Sequence, residues 1–333
     1  MRLSVIIPYY NADAWIGAML DSLLDQDLLK EDYEILVVDD GSTEPTHTLD
    51  RYVAAYPHIR CHRQENRGPA EARNTGLDLT QSDWVYFCDS DDFVQTQVLG
   101  RLLDVAEEHQ LEILFGKIRE VYPGEPIPEP RRHFDELSPL WNGWDYIATH
   151  LVPSAFSLSQ FLIRRDFIAQ HHIRFRNYYY IEDRHFHLDM LQVAQRLMEV
   201  NVDLYYYIQR ASSIMHDQRR LYYPEKYAQP MLDYLTRISE ILARPETRDD
   251  VRPVLRRWQD ACAFLMILNH FRFSPFRDTP KCLNELAAIG AYPVQVRGNF
   301  KLAFPRRCMN WRGGWILASW LFHILPASVR RRF

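Results

Sequence analysis

The sequence has few cysteines and no paired cysteine motif. Its five cysteines are widely spaced along 333 residues, and no C-x-x-C pair occurs. This spacing argues against a zinc site or a disulfide framework and is typical of proteins in the reducing cytosol. A strand pattern begins almost at once, at Leu3, with no signal-peptide pattern before it, so we expect no export and a cytoplasmic location.

A strong net charge is also absent. The chain carries 39 basic and 44 acidic residues, a formal net charge of −5. Nucleic-acid-binding proteins usually show a basic field that this sequence lacks, so we expect no nucleic-acid partner.

No apolar run in the tail is long enough to span a bilayer. The run from Trp315 to Leu325 falls short of the roughly 20 residues that a transmembrane helix needs. Tryptophan and a basic end, Arg330 to Arg332, instead indicate an interfacial helix within residues 311–333 that makes peripheral membrane contact. A helix docked on the protein's own core is the alternative.

The glycine-rich nucleotide motifs are missing as well. No G-x-G-x-x-G follows the first predicted strand, which excludes a dinucleotide site of the Rossmann kind. No G-x-x-x-x-G-K-[ST] occurs, which excludes a P-loop. Any nucleotide site must therefore be built from other residues.

Strand and helix patterns alternate in the first third of the chain. We predict strands at residues 2–8, 34–39, 59–62, 84–88 and 111–116, and helices at 12–26, 44–56 and 94–109. A further helix should begin at Pro69, with Gly76 marking a bend or a weak spot before its end. This alternation predicts an α/β fold with a doubly wound parallel sheet, and the chain beyond residue 222 should be mainly helical.

Carboxylates gather where two of these strands end. One strand stops at Asp40, and the apolar run from Trp84 to Cys88 stops at Asp89, Asp91 and Asp92. The carboxyl ends of parallel strands share one edge of the sheet, where ligands bind. Clustered carboxylates repel one another and raise each other's pKa, and Mg²⁺ or Mn²⁺ would relieve this repulsion. The alternative is an aspartate-rich turn that caps a helix.

Four motifs stand in order at these strand ends. They are Ser-Val-Ile-Ile-Pro-Tyr-Tyr-Asn, Val-Val-Asp-Asp-Gly-Ser, Asn-Arg-Gly with Ala-Arg-Asn-Thr-Gly, and Phe-Cys-Asp-Ser-Asp-Asp. Their order and spacing resemble bacterial family 2 glycosyltransferases of the GT-A fold. The motifs cover about the first 120 residues, and further matches occur at residues 181–183 and 207–214.

The resemblance implies an α/β, Rossmann-like, mostly parallel sheet flanked by helices. Residues 1–118 would form the nucleotide-sugar-binding half and residues 119–220 the acceptor-binding half with the catalytic base. Residues 221–333 would be a mainly helical C-terminal extension.

The resemblance also implies which residues bind the donor nucleotide. Pro8, Tyr10 and Asp40 match positions that hold the nucleobase, and Asp40 would face a uracil-type imide. Asn66 and Arg73 match further nucleotide contacts.

Further matches concern the diphosphate and its metal. Asp89 and Asp91 match the D-x-D pair, with Asp91 favoured as the direct metal ligand and Asp89 nearer the ribose or the metal shell. Asp92 is an additional acid that we expect to cap the next helix. Arg210 and His216 stand where a closing loop could touch the diphosphate or the metal, although a single histidine is often structural.

Asp183 matches the general base of the family. An inverting transfer needs a carboxylate on the face opposite the leaving diphosphate, to take the proton of the acceptor hydroxyl. Glu182 is the rival for this role, and the pair could instead cap the helix that follows.

These matches predict a metal-dependent inverting glycosyltransferase. It would move a sugar from a UDP-linked donor to a saccharide or lipid-linked saccharide in surface polysaccharide synthesis, at the inner face of the membrane. No Q-x-x-R-W element occurs, so transfer of a single sugar is expected. A sugar-phosphate nucleotidyltransferase would need a Gly-rich loop with Lys or Arg where Tyr9, Tyr10 and Asn11 stand. A non-catalytic nucleotide-sugar-binding or scaffold protein would tolerate loss of the carboxylates, yet they are present.

Overall fold

The computed structural model describes residues 1–122, 124–127, 129–150, 157–210, 224–273 and 278–294. The chain divides into two compact units, one of residues 1–146 and 156–216 and one of residues 147–155 and 217–333. His216 and the tail at residues 311–333 lie outside the described residues, so what the sequence predicts for them stays a prediction. The other predicted site residues belong to the first unit.

The first unit begins with the predicted alternation of strands and helices. Its first elements are β1 (Leu3–Tyr9), α1 (Ile16–Leu24), β2 (Tyr33–Asp39), α2 (His47–Ala55), β3 (Ile59–Arg63), α3 (Pro69–Leu79) and β4 (Trp84–Phe87). Strands β2 and β4 are buried along their whole length, as continuous apolar runs in a covered parallel sheet should be.

The remainder of this unit adds further strands and helices. They are β5 (Phe93–Val94), α4 (Leu99–Glu108), β6 (Ile113–Val121), β7 (Arg132–Leu137), α5 (Gly143–His150), a 3₁₀ turn (Leu158–Gln160), β8 (Phe161–Arg164), α6 (Arg165–Gln170), α7 (Glu182–Val193) and β9 (Leu197–Ile208). Helix α5 continues past the limit of the first unit at residue 146.

The strands form one sheet in the order β3-β2-β1-β4-β8-β6-β9-β5, with β7 paired to β9. Strands β3, β2, β1 and β4 are parallel, and β6 is parallel to β9. This confirms the predicted α/β fold class. The sequence did not predict β8, which lies antiparallel between β4 and β6. The boundary predicted after residue 118 falls inside β6, so the two predicted halves share that strand.

Helix α3 packs directly on the first strand. A Cβ added to Gly76 would lie 2.3 Å from Cγ2 of Ile6, so any larger residue would push α3 away from β1. Helix α3 continues through Gly76 to Leu79, and the glycine lets the helix approach the sheet. That Gly76 also marks a bend or weak spot stays a prediction.

The second unit is helical in its described part, as predicted. It contains α8 (Pro224–Ala243), α9 (Arg252–Phe273) and α10 (Thr279–Ala288). The indole N–H of Trp258 in α9 donates to the hydroxyl of Tyr234 in α8 at 3.0 Å. Among the described helices, none combines the length and the apolar character that a membrane crossing requires.

Candidate active site

The loop after β1 is bonded to the loop after β2. The side-chain oxygen of Asn11 accepts hydrogen bonds from the backbone N–H groups of Thr43 and Glu44 at 2.9 and 3.0 Å. The backbone N–H of Asn11 donates to Oγ of Ser42 at 3.0 Å. These bonds fix a loop in which Tyr10 is 48% exposed. An exposed ring at this edge can stack on a nucleobase, the contact predicted for Tyr10.

Asp40 holds the chain that leads into α3. Its carboxylate accepts the N–H groups of Arg67 and Gly68 at 2.9 and 2.7 Å and the side-chain amide of Gln64 at 2.7 Å. A carboxylate has room for about four donors, so one place remains for a ligand N–H. The predicted contact between Asp40 and an imide stays a prediction, and the sequence did not reveal this structural role.

Pro8 and Asn66, two further predicted nucleotide contacts, are positioned by β1 and by the loop after β3. Pro8 pairs with Val38 in the parallel register of β1 and β2. A Cβ added to Gly41 would lie 2.9 Å from the backbone nitrogen of Asn66, so the loops after β2 and β3 touch at Gly41. Asn66 itself is exposed at this edge of the sheet.

Asp92 fastens the acidic loop after β4 to β9. Its carboxylate accepts the hydroxyl of Tyr205 and the N–H of Ile208, each at 2.8 Å, and the Tyr205 hydroxyl also accepts the N–H of Asp89 at 3.1 Å. The prediction that Asp92 caps the next helix is wrong, because α4 begins only at Leu99. Burial and the two neighbouring aspartates raise the pKa of Asp92 to about 8.

Asp91 is partly buried and forms an ion pair with Arg210. Burial and the charge of Asp89 raise the pKa of Asp91, although the guanidinium of Arg210 opposes the shift from 2.8 Å away. The same guanidinium lies 5.5 Å from the ring centre of Trp15. Trp15 directly precedes α1 and its side chain is exposed.

The carboxylates of Asp89 and Asp91 fit a divalent cation in part. Each side chain is about two-fifths exposed, so its carboxylate oxygens can reach a ligand, and burial together with the charge of Asp89 raises the pKa of Asp91. No group of three or more His, Cys, Asp or Glu side chains within the described ranges is arranged to hold a metal ion. A cation here would need further oxygen ligands from a diphosphate or water, as Mg²⁺ commonly does.

Arg73 joins the acidic loop to the helix that carries the candidate base. Its guanidinium lies 2.7 Å from Asp89 and 2.9 Å from Glu182, and its carbon lies 5.5 Å from the ring centre of Phe175. Burial alone would lower the pKa of Arg73, but the two carboxylates outweigh it and raise that pKa. Arg73, predicted as a nucleotide contact, therefore has both terminal nitrogens on acidic side chains.

Glu182 and Asp183 open α7 and differ in their partners. Burial and the charge of Asp183 raise the pKa of Glu182 to about 7, against the opposing charge of Arg73. Asp183 accepts the N–H of Arg184 at 2.8 Å within the first turn of α7. The N-cap residue of this helix is Ile181, so neither Glu182 nor Asp183 caps it. Glu182 thus binds Arg73, whereas Asp183 binds the backbone N–H of Arg184.

The arrangement brings the predicted groups to one region of the first unit. A single guanidinium binds the D-x-D residue Asp89 and the residue next to Asp183, although these partners of Arg73 stand 16 and 109 residues away in sequence. Arg73 therefore brings Asp89 close to Glu182, the chain neighbour of Asp183. Arg210 belongs to the same region, because it forms an ion pair with Asp91.

Comparison with known proteins supports the same family. The poly(ribitol-phosphate) beta-glucosyltransferase of Bacillus spizizenii is 28% identical over 245 residues, which cover 72% of this chain and 37% of that protein. The glycosyltransferase EpsJ of Bacillus subtilis is 29% identical over 230 residues, which cover 64% of this chain and 62% of that protein. The chain thus spans less than two thirds of the length of either relative.

The fold is that of a known glycosyltransferase structure. The crystal structure of Staphylococcus aureus TarS residues 1–349 in complex with UDP-GlcNAc superimposes with a TM-score of 0.72 at 24% identity, over 96% of this chain and 89% of that chain. This likeness confirms the predicted GT-A fold. Residues 4–171, half of the sequence, match the family model described as glycosyl transferase family 2. The chain therefore belongs to glycosyl transferase family 2.

Proposed function

We propose that this protein is an inverting glycosyltransferase. It moves one sugar from a UDP-linked donor to a saccharide or lipid-linked saccharide acceptor in surface polysaccharide synthesis. The observation that carries the proposal is the Arg73 guanidinium between Asp89 and Glu182, because it joins the D-x-D loop to the chain neighbour of Asp183. The names of the relatives and the UDP-GlcNAc complex of TarS support this reaction class.

In this reaction Asp183 acts as the general base. It takes the proton of the acceptor hydroxyl as that oxygen attacks the anomeric carbon, on the face opposite the leaving diphosphate. Glu182 is less suited to the role because its carboxylate is 2.9 Å from Arg73 and largely buried. Arg210 supplies a positive charge that can pair with the diphosphate.

We further propose that Asp91 and Asp89 hold a Mn²⁺ or Mg²⁺ ion. Their exposed carboxylate oxygens are hard ligands of the kind that these ions prefer. The bound ion would stabilise negative charge on the leaving diphosphate. Arg210 would then be free to leave Asp91 for the donor.

A panel of nucleotide sugars tests the reaction class. With Mn²⁺ present, we expect UDP release from at least one UDP-sugar and little or none from GDP-sugars. Absence of release from every donor would contradict the proposal. Pyrophosphate release from UTP and a sugar 1-phosphate would indicate nucleotidyl transfer instead.

Replacing Asp91 with alanine should remove the effect of the metal on nucleotide binding. Because the variant lacks the favoured metal ligand, we expect Mn²⁺ to tighten UDP binding in the wild type and to have little effect in Asp91→Ala. Titration calorimetry with UDP, with and without Mn²⁺, measures this. Asp135→Ala is the matched control, since Asp135 is fully exposed and lies on β7. An unchanged Mn²⁺ effect in Asp91→Ala would place the metal elsewhere.

We also propose that the protein works in the cytoplasm at the inner face of the membrane, through residues 311–333. The support is the sequence of that segment, which combines three tryptophans with a terminal basic cluster. Deleting residues 311–333 should release the protein from vesicles rich in anionic lipid, measured by co-sedimentation. Equal sedimentation of both proteins would favour a helix docked on the protein itself.

A further inference from the structure

Exposed aromatic rings are concentrated around the candidate site. The described residues leave four such rings exposed: Tyr10, Trp15, Tyr122 and Tyr179. Tyr10 follows β1, and Trp15 contacts the Arg210 side chain that binds Asp91. Aromatic side chains usually bury most of their large surface, so three exposed rings near one site indicate ligand contacts.

Tyr179 belongs to the segment that leads into α7, and that segment is firmly held. The Asn74 side chain donates to the carbonyl of Phe175 at 2.8 Å and accepts its N–H at 2.9 Å. The Phe175 ring stacks on Phe186 of α7, with ring centres 4.2 Å apart and planes 11° apart. Arg174 also pairs with Asp78 of α3 at 2.5 Å. The chain therefore enters the tyrosine run from a fixed position between α3 and α7.

The three tyrosines at positions 178–180 differ in their surroundings. Tyr178 packs against His185 of α7, with ring centres 5.0 Å apart. The rings of Tyr179 and Tyr180 contact each other edge to face, with centres 4.9 Å apart and planes 80° apart. Tyr179 is 46% exposed and Tyr180 is partly exposed, and both stand within four residues of Asp183.

We propose that Tyr179 and Tyr180 form a stacking platform for a pyranose ring of the acceptor. This inference rests on the proposed function, and it adds where the acceptor binds and which chemical class it belongs to. A pyranose has an apolar face of C–H groups and a rim of hydroxyls. A partly exposed tyrosine matches both, since its ring is apolar and its hydroxyl reaches water. Such stacking would hold an acceptor hydroxyl next to the base.

The surroundings favour a ring sugar over a linear polyol phosphate. A polyol phosphate has no flat apolar face and is best bound by cationic side chains. Of the nearby arginines, Arg73 pairs with Asp89 and Glu182 and Arg174 pairs with Asp78, whereas Arg176 is exposed. Tyr179 and Tyr180 themselves offer an aromatic surface, which matches a ring sugar better than a linear chain.

Saturation-transfer NMR on the full chain tests the platform. The probe is a mixture of methyl pyranosides together with ribitol 5-phosphate, in the presence of UDP and Mn²⁺. We expect saturation of pyranoside ring protons in the wild type and a signal about tenfold weaker in Tyr179→Ala and Tyr180→Ala, as loss of a stacking contact predicts. Tyr179→Phe should keep the signal because the ring is retained.

Tyr122→Ala is the matched control, because Tyr122 is equally exposed at 47% and lies just past β6. UDP affinity is measured by calorimetry in each variant, and an unchanged affinity shows that the variant is folded and keeps its donor-binding site. Equal pyranoside signals in Tyr179→Ala and the wild type would overturn the platform, as would saturation of ribitol 5-phosphate alone or of neither probe. A wild type that releases UDP from no donor would instead overturn the proposed function.

Discussion

Replacing Asp183 with asparagine should nearly abolish sugar transfer and leave UDP affinity unchanged. Asparagine has almost the same shape and keeps an oxygen that can accept the N–H of Arg184, so the first turn of α7 should persist. It cannot take a proton from the acceptor hydroxyl. Loss of a general base typically lowers the rate about 10²- to 10⁴-fold, which is the fall in kcat that we expect. Kinetics of UDP release and calorimetry with UDP measure the two quantities.

Glu182→Gln is the comparison that separates the two candidate bases. It removes the negative charge of Glu182 but leaves an amide oxygen that Arg73 can still bind. If Asp183 is the base, Glu182→Gln should lower kcat much less than Asp183→Asn. The reverse order would make Glu182 the base, and wild-type turnover in both variants would place the base outside this pair.

The acidic residues at the carboxyl edge of the sheet could be predicted because the pattern that marks a strand end lies within a few residues of sequence. A buried parallel strand is a continuous apolar run, so the end of β4 and the acids that follow it are visible in the sequence. The same holds for Asp40 after β2. What each acid does there depends on the partner that the fold supplies. Asp92 binds Tyr205 and Ile208 of β9, more than a hundred residues away, and no local pattern announces such a contact.

The role of a helical glycine and the position of a short strand are harder to predict for a related reason. A glycine within a helical pattern can mark a bend, a weak spot or a close approach, and only the position of Ile6 shows that Gly76 allows a close approach. Strand β8 is followed at once by α6, so no turn pattern separates its apolar run from the helix pattern that follows. Its place between β4 and β6 is decided by tertiary pairing.

Replacing Arg73 with methionine should cause a large loss of stability. The side chain is almost fully buried and holds two carboxylates, so its removal leaves Glu182 buried beside Asp183 without a counter-ion. Breaking a buried ion pair from one side costs about 3–5 kcal/mol. Urea unfolding measures the free energy of unfolding of each variant. Arg174→Met is the control, because its ion pair with Asp78 is exposed and worth at most about 1 kcal/mol.

The double variant Arg73→Met with Glu182→Gln tests whether charge is the cause. Neutralising Glu182 removes the unpaired buried charge, so the double variant should be more stable than Arg73→Met alone. A double variant as unstable as the single one would mean that Arg73 stabilises the protein chiefly by packing on Phe175.

The stability loss in Arg73→Met should also depend on pH. The pKa of Glu182 is raised from 4.5 to about 7 in the folded protein, so the folded state binds this proton more tightly than the unfolded state. The stabilisation from that proton is complete below about pH 4.5 and is lost as pH rises towards 7. Without Arg73, the ionised form becomes still less favourable, so the variant should be close to the wild type at pH 5 and much less stable at pH 8. An equal loss at both values would show that Arg73 does not act on the charge of Glu182.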